Sequence, residues 1–129
     1  VGLKSLSLTS LGKNTTLPAG LWQLNKLETL DLYDLNIDNI SESIGQLSVL
    51  KSLSLTSLRI TTLPVNLWRL SKLEELNLSL LNIKIIPEEI GQLPLLKSLY
   101  LQWMDNIKGV VDFLKNKGVQ VKVTGVEKW

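Results

Sequence analysis

Leu50-Lys51-Ser52-Leu53-Ser54-Leu55 is the stretch that decides the fold. Its form, L-x-x-L-x-L, returns at Leu27-Leu30-Leu32, Leu73-Leu76-Leu78 and Leu96-Leu99-Leu101, so that positions 27, 50, 73 and 96 open phrases 23 residues apart. Leu3-Leu6-Leu8 is a fifth copy, one residue out of step. In an extended chain the alternating leucines share one face and the residues between them share the other. One such unit cannot bury its own apolar face, whereas a stack of them can. The period therefore predicts an α/β chain folded as a right-handed parallel solenoid. Its five repeats span residues 1–104, with strands centred near Ser7, Asp31, Ser54, Asn77 and Tyr100.

Each phrase is followed by a turn, an isoleucine (Ile37, Ile60 or Ile83) and a second apolar segment. In Leu63-Pro64-Val65-Asn66-Leu67-Trp68-Arg69-Leu70 the spacing of Leu63, Leu67 and Leu70 is helical. Pro64 suits a first helical turn. Ser41 replaces that proline one repeat earlier and can cap instead.

On these phrases the chain resembles the leucine-rich repeats over about residues 3–104. Its L-P-x-x-L-x-x-L-x-x-L-x-x-L-x-L wording is similar to the 23-residue repeats of bacterial proteins, with related phrasing in Roco-type GTPases and plant intracellular immune receptors. The resemblance implies a segment of a horseshoe and a protein-binding module, often part of a larger signalling or defence protein. One departure is plain. Where the family usually sets an inward Asn or Cys, this chain has Leu11, Leu35, Leu58, Leu81 and Met104. These are expected in the core, leaving the turn amides to find other acceptors; Asn36 and Asn82 are candidates in two repeats.

A longer period is superimposed. Residues 3–11 and 50–58 are identical, and TTLP-x-x-LW-x-L-x-KLE occurs at 15–28 and 61–74, as after duplication of a two-repeat unit. It places Lys4, Glu28, Lys51, Glu74 and Lys97 at one position, an alternating ladder that favours register. It also places Trp22, Gly45, Trp68 and Gly91 at one position, where glycine is expected to make room for a neighbouring indole.

The composition narrows the function. There is no Cys and no His among 129 residues, which removes thiol and imidazole chemistry, disulfides and zinc sites built on those ligands. The lack of cysteine fits a reducing, cytoplasmic setting. A net charge of +2 argues against nucleic acid as a partner, and no apolar run reaches membrane-spanning length. The paired acids Asp31 with Asp34 and Glu74 with Glu75 have no base beside them and read as solvated charges. The expectation is a chain without catalytic residues, cofactor or metal.

From Asp105 the period stops. Ile107, Val110, Val111 and Leu114 recur at helical spacing, with Asp105 or Asn106 as a possible cap and Gly118 as the stop; Val119, Val121 and Val123 then alternate as a strand. Residues 105–123 read as a C-terminal cap and 124–129 as a tail. The first repeat has no matching polar cap, which suggests a fragment, or a contact of this end with upstream repeats or another subunit.

Most outward strand positions carry Ser or Thr. The exceptions nominate a protein-binding patch of Leu80, Tyr100, Gln102 and Trp103, flanked by Asp31, Tyr33 and Asp34. Trp103 has a competing role, packing beneath the cap helix. Two functions follow: a non-catalytic interaction module using the concave sheet, or a regulatory or targeting segment of a larger multidomain enzyme or receptor.

Overall fold

The computed structural model describes residues 2–9, 17–104 and 107–125. Its strands are β1 (Ser5–Thr9), β2 (Thr29–Tyr33), β3 (Ser52–Thr56), β4 (Glu75–Leu78), β5 (Ser98–Gln102) and β6 (Gln120–Thr124), with one α-helix, α1 (Lys108–Asn116). All six strands form one sheet in sequence order, and every neighbouring pair is parallel. This is a parallel solenoid. Thr29 faces Ser52, Ser52 faces Glu75 and Glu75 faces Ser98, so the register advances by the period of the leucine phrases.

The leucines explain why the register holds. Leu30, Leu53, Leu76 and Leu99 lie in one line across the sheet, Leu32, Leu55, Leu78 and Leu101 in another, and all are buried. A slip of one residue would expose both lines. Each fully buried leucine contributes about 1.5–3 kcal/mol. Leu35, Leu58 and Leu81 extend the core, being 2%, 5% and 4% exposed, while Met104 is half-buried and Leu11 lies outside the described residues. The turns at these positions use main-chain acceptors in part. Asp34 N–H donates to Thr56 O at 3.1 Å and Arg59 N–H to Ile37 O at 3.0 Å. Asn36 and Asn82 are exposed, and Asn36 Oδ1 accepts from Arg59 Nη1 at 3.1 Å.

The return segments are 3₁₀ rather than α-helical: Leu21–Gln23, Glu42–Gln46, Val65–Arg69 and Glu88–Gln92. Pro64 and Pro87 precede their helices in extended conformation at the cap position, not inside the first turn. Ser41 does cap, its Oγ accepting from Ser43 N–H at 3.0 Å. Glu42 adds a tie between repeats: its carboxylate accepts from Val65 and Asn66 N–H at 3.1 and 2.8 Å, satisfying donors at the start of the next helix.

Two expectations change in detail. The charge ladder breaks into pairs, Glu28 with Lys51 at 3.8 Å and Glu74 with Lys97 at 3.4 Å, both exposed enough to be worth about 0–1 kcal/mol each. Trp68 is buried and Trp22 half-buried, but the atoms nearest a side chain at either glycine are not those of an indole. A Cβ on Gly45 would meet Asn66 Cβ at 3.0 Å, and one on Gly91 would meet the Phe113 ring at 2.5 Å.

The C-terminal unit packs onto the last repeat. Ile107, Val111 and Leu114 are buried, and α1 ends in paired turns, Gly118 N–H to Lys115 O and Val119 N–H to Leu114 O, with Gly118 at φ 90°. The cap residues proposed before it, Asp105 and Asn106, lie outside the described residues. β6 then pairs with β5 through Thr124, so it continues the sheet.

Candidate interaction surface

The side chains between the leucines form the polar face of the sheet. Register aligns them in rows. The central row reads Ser7, Asp31, Ser54, Asn77, Tyr100 and Lys122, and the next row includes Thr9, Tyr33, Thr56, Gln102 and Thr124. Just past the strand ends, Asp34, Ser57 and Leu80 share the left-handed conformation, with φ of 54°, 54° and 61°.

That conformation suits Asp and is tolerable for Ser, but for a bulky residue it costs about 1–2 kcal/mol. Leu80 is nevertheless 60% exposed. It buries little and sits in a backbone state that leucine disfavours. Tyr100 lies on the neighbouring strand, 39% exposed, and Tyr33 on β2 is 48% exposed. A depression of about 650 Å³ lies beside this line, walled by Asp34, Asn36, Ser57, Leu58, Arg59 and Leu80.

The seven residues nominated from sequence fall into two groups. Leu80, Tyr100, Gln102 and Trp103 belong to β4 and β5 and their turns; Asp31, Tyr33 and Asp34 belong to β2, three strands from β5. Small residues of β3 floor the space between. Trp103 is half-buried against the core, its main-chain N–H donates to Thr124 O at 2.7 Å, and its Cβ lies near Gly125, so part of its surface is committed to packing. Sequence reasoning passed over Lys122, Gln120 and Thr124, which extend the polar face beyond Tyr100. The alternation of Val119, Val121 and Val123 was the available signal for them.

The opposite side of the stack carries scattered apolar groups, among them Val65, Leu95 and Phe113. Phe113 is explained by packing: its ring fills the place a Gly91 side chain would take, and Lys117 Nζ sits 5.4 Å from the ring centroid while donating to Gly91 O at 2.7 Å. Among the described residues no three acidic side chains converge on a point that could hold a metal, and no helix is long and apolar enough to cross a membrane.

No protein-family profile and no curated protein matches the chain. Solved structures do. A leucine-rich-repeat protein from Leptospira interrogans superimposes with a TM-score of 0.69 at 28% identity, over 96% of this chain and 33% of that one. An internalin from Listeria monocytogenes superimposes with a TM-score of 0.61 at 21% identity, over 97% of this chain and 44% of that one. The chain thus spans about a third and under half of the lengths of these two proteins.

Proposed function

We propose that this chain, a leucine-rich-repeat protein by its fold, is a non-catalytic module that recognises another protein through the polar face of its sheet. The observation that carries the reading is Leu80, exposed in a backbone state unfavourable to leucine, past the end of the strand that pairs with the one bearing the exposed ring of Tyr100. Fold stability accounts for neither feature, and apolar groups gathered on an exposed face are what partner contacts use. Tyr100, Leu80 and Gln102 form the proposed centre, Trp103 a half-buried support, and Asp31, Tyr33 and Asp34 a polar flank. The proposed compartment is the cytoplasm.

The test is site-specific photo-crosslinking in cells producing the intact protein, with the reactive side chain at Tyr100 or at Phe113. Protein adducts from position 100 and none from position 113 support the proposal. Adducts from 113 alone overturn it.

A second reading rests on β1. Leu6 and Leu8 are half-buried and Leu3 is 43% exposed, whereas Leu27, Leu30 and Leu32 are fully buried. This favours a contact of the β1 edge with further repeats or another subunit, as in a regulatory or targeting segment of a larger protein. Light scattering on the isolated chain separates these: a monomer excludes self-association through this edge, and a dimer broken by Leu6→Lys supports it.

A further inference from the structure

We infer that the polar sheet face is graded for one class of ligand: an extended peptide segment crossing the strands. It carries a basic group at one end, an acidic group at the other, and an apolar side chain close to the acidic end. The inference rests on the proposed protein-binding role of this face and adds the chemistry and spacing of what binds.

The central row carries the argument. In register order it runs from Asp31 through Ser54, Asn77 and Tyr100 to Lys122, so it passes from an acid, over two small polar residues, to an aromatic ring and then a cation. Asp34, just past the end of β2, adds an acid off the row, in the depression that Arg59 also walls. Among the described residues Asp31, Asp34 and Lys122 make no salt bridge, while Glu28 with Lys51 and Glu74 with Lys97 compensate each other. Lys4 and Glu75 lie off this row, toward the strand starts. Along this row Asp31, whose Oδ2 accepts from Ser7 Oγ at 3.5 Å, and Lys122 on the last strand are therefore charges of opposite sign without an ion-pair partner. Opposite ends held apart on a rigid sheet cannot neutralise each other, and a ligand of matching polarity can engage both.

The middle of the row suits a main chain. Ser54 is short, and Asn77 Oδ1 accepts from Ser79 N–H at 3.0 Å and from Ser79 Oγ at 2.6 Å. Those bonds fix the amide orientation and leave Nδ2 as a donor on the floor, with no acceptor among the described residues. A carbonyl of a crossing peptide would fill that role. Tyr100, one strand beyond Asn77, then supplies the apolar contact on the far side of this floor.

The strands set the spacing. Neighbours lie about 4.8 Å apart, so β2 to β5 is about 14 Å and β5 to β6 about 5 Å. At about 3.3 Å per extended residue, the basic group falls about four residues from the apolar side chain and the acidic group one or two beyond it. This asymmetry does not depend on which way the peptide runs.

The experiment is selection from a random nonapeptide display library, performed on the chain and on a charge-exchanged variant, Asp31→Lys with Asp34→Asn and Lys122→Glu. On the unaltered chain the recovered peptides should place the apolar residue beside the acidic one and about four residues from the basic one. On the exchanged variant the apolar residue should sit beside the basic one. If that variant fails to fold, Lys122→Glu alone should lower affinity for the selected peptides about three- to fivefold, as loss of an exposed ion pair would. Recovered peptides without charge preference, a pattern unmoved by the exchange, or no enrichment overturns the inference. Peptides that enrich but keep full affinity for Tyr100→Ala overturn the sheet-face reading itself, which distinguishes the two failures.

Discussion

Thr9 and Thr56 occupy the same place in two identical nine-residue stretches, yet Thr9 is exposed and Thr56 is only 7% exposed. The difference comes from neighbours. β3 has β2 and β4 on either side, with Tyr33 in register beside Thr56, whereas β1 has only β2. A side chain on the polar face is thus partly enclosed inside the sheet and free at its edge. Thr56→Lys should lower the unfolding free energy by about 1–2 kcal/mol, and Thr9→Lys should change it by less than about 0.5 kcal/mol. Denaturant titration of both variants checks this; equal effects would contradict it.

Leu58→Asn should destabilise the domain by about 2–3 kcal/mol. The position is buried among leucine and isoleucine side chains, and the turn amide at Arg59 already has Ile37 O as its acceptor. The inserted amide would find no waiting donor or acceptor. An unchanged denaturant midpoint would mean that these turns still accept the family's asparagine.

Leu80→Asn should act in the opposite direction. Asparagine tolerates the left-handed conformation better than leucine and little burial is lost, so stability should rise by about 0.5–1 kcal/mol. Affinity for a partner should fall in the same variant. A drop in the thermal midpoint would show that Leu80 serves the fold.

Trp103→Ala separates support from contact. The indole is half-buried against the core, so removing it should lower stability by about 1–3 kcal/mol. Calorimetric unfolding measures the loss. No change in stability would return Trp103 to the group of freely exposed anchors.

The leucine period made the parallel stack legible because inward position and sequence spacing are the same information in a strand. The leucines at the lost asparagine positions were legible for the same reason: an apolar residue in phase with a buried line stays in it. Local geometry was less accessible. The left-handed turn at Leu80 carries no glycine or asparagine to announce it, and the partners of Gly45 and Gly91 come from Asn66 and Phe113, outside the tryptophan pattern. Lys122 is not legible as part of the face when residues 105–123 read as a cap, whereas β6 pairs with β5 and extends the polar face.

The partner is proposed to sit on the sheet face at Tyr100 and Leu80. Isothermal titration of a crosslink-identified partner against Tyr100→Ala and Phe113→Ala tests it most directly. Tyr100→Ala should weaken binding by about 1–2 kcal/mol, or about five- to thirtyfold, with the fold intact, and Phe113→Ala should leave affinity per folded molecule unchanged. Full affinity in Tyr100→Ala together with loss in Phe113→Ala would contradict the account.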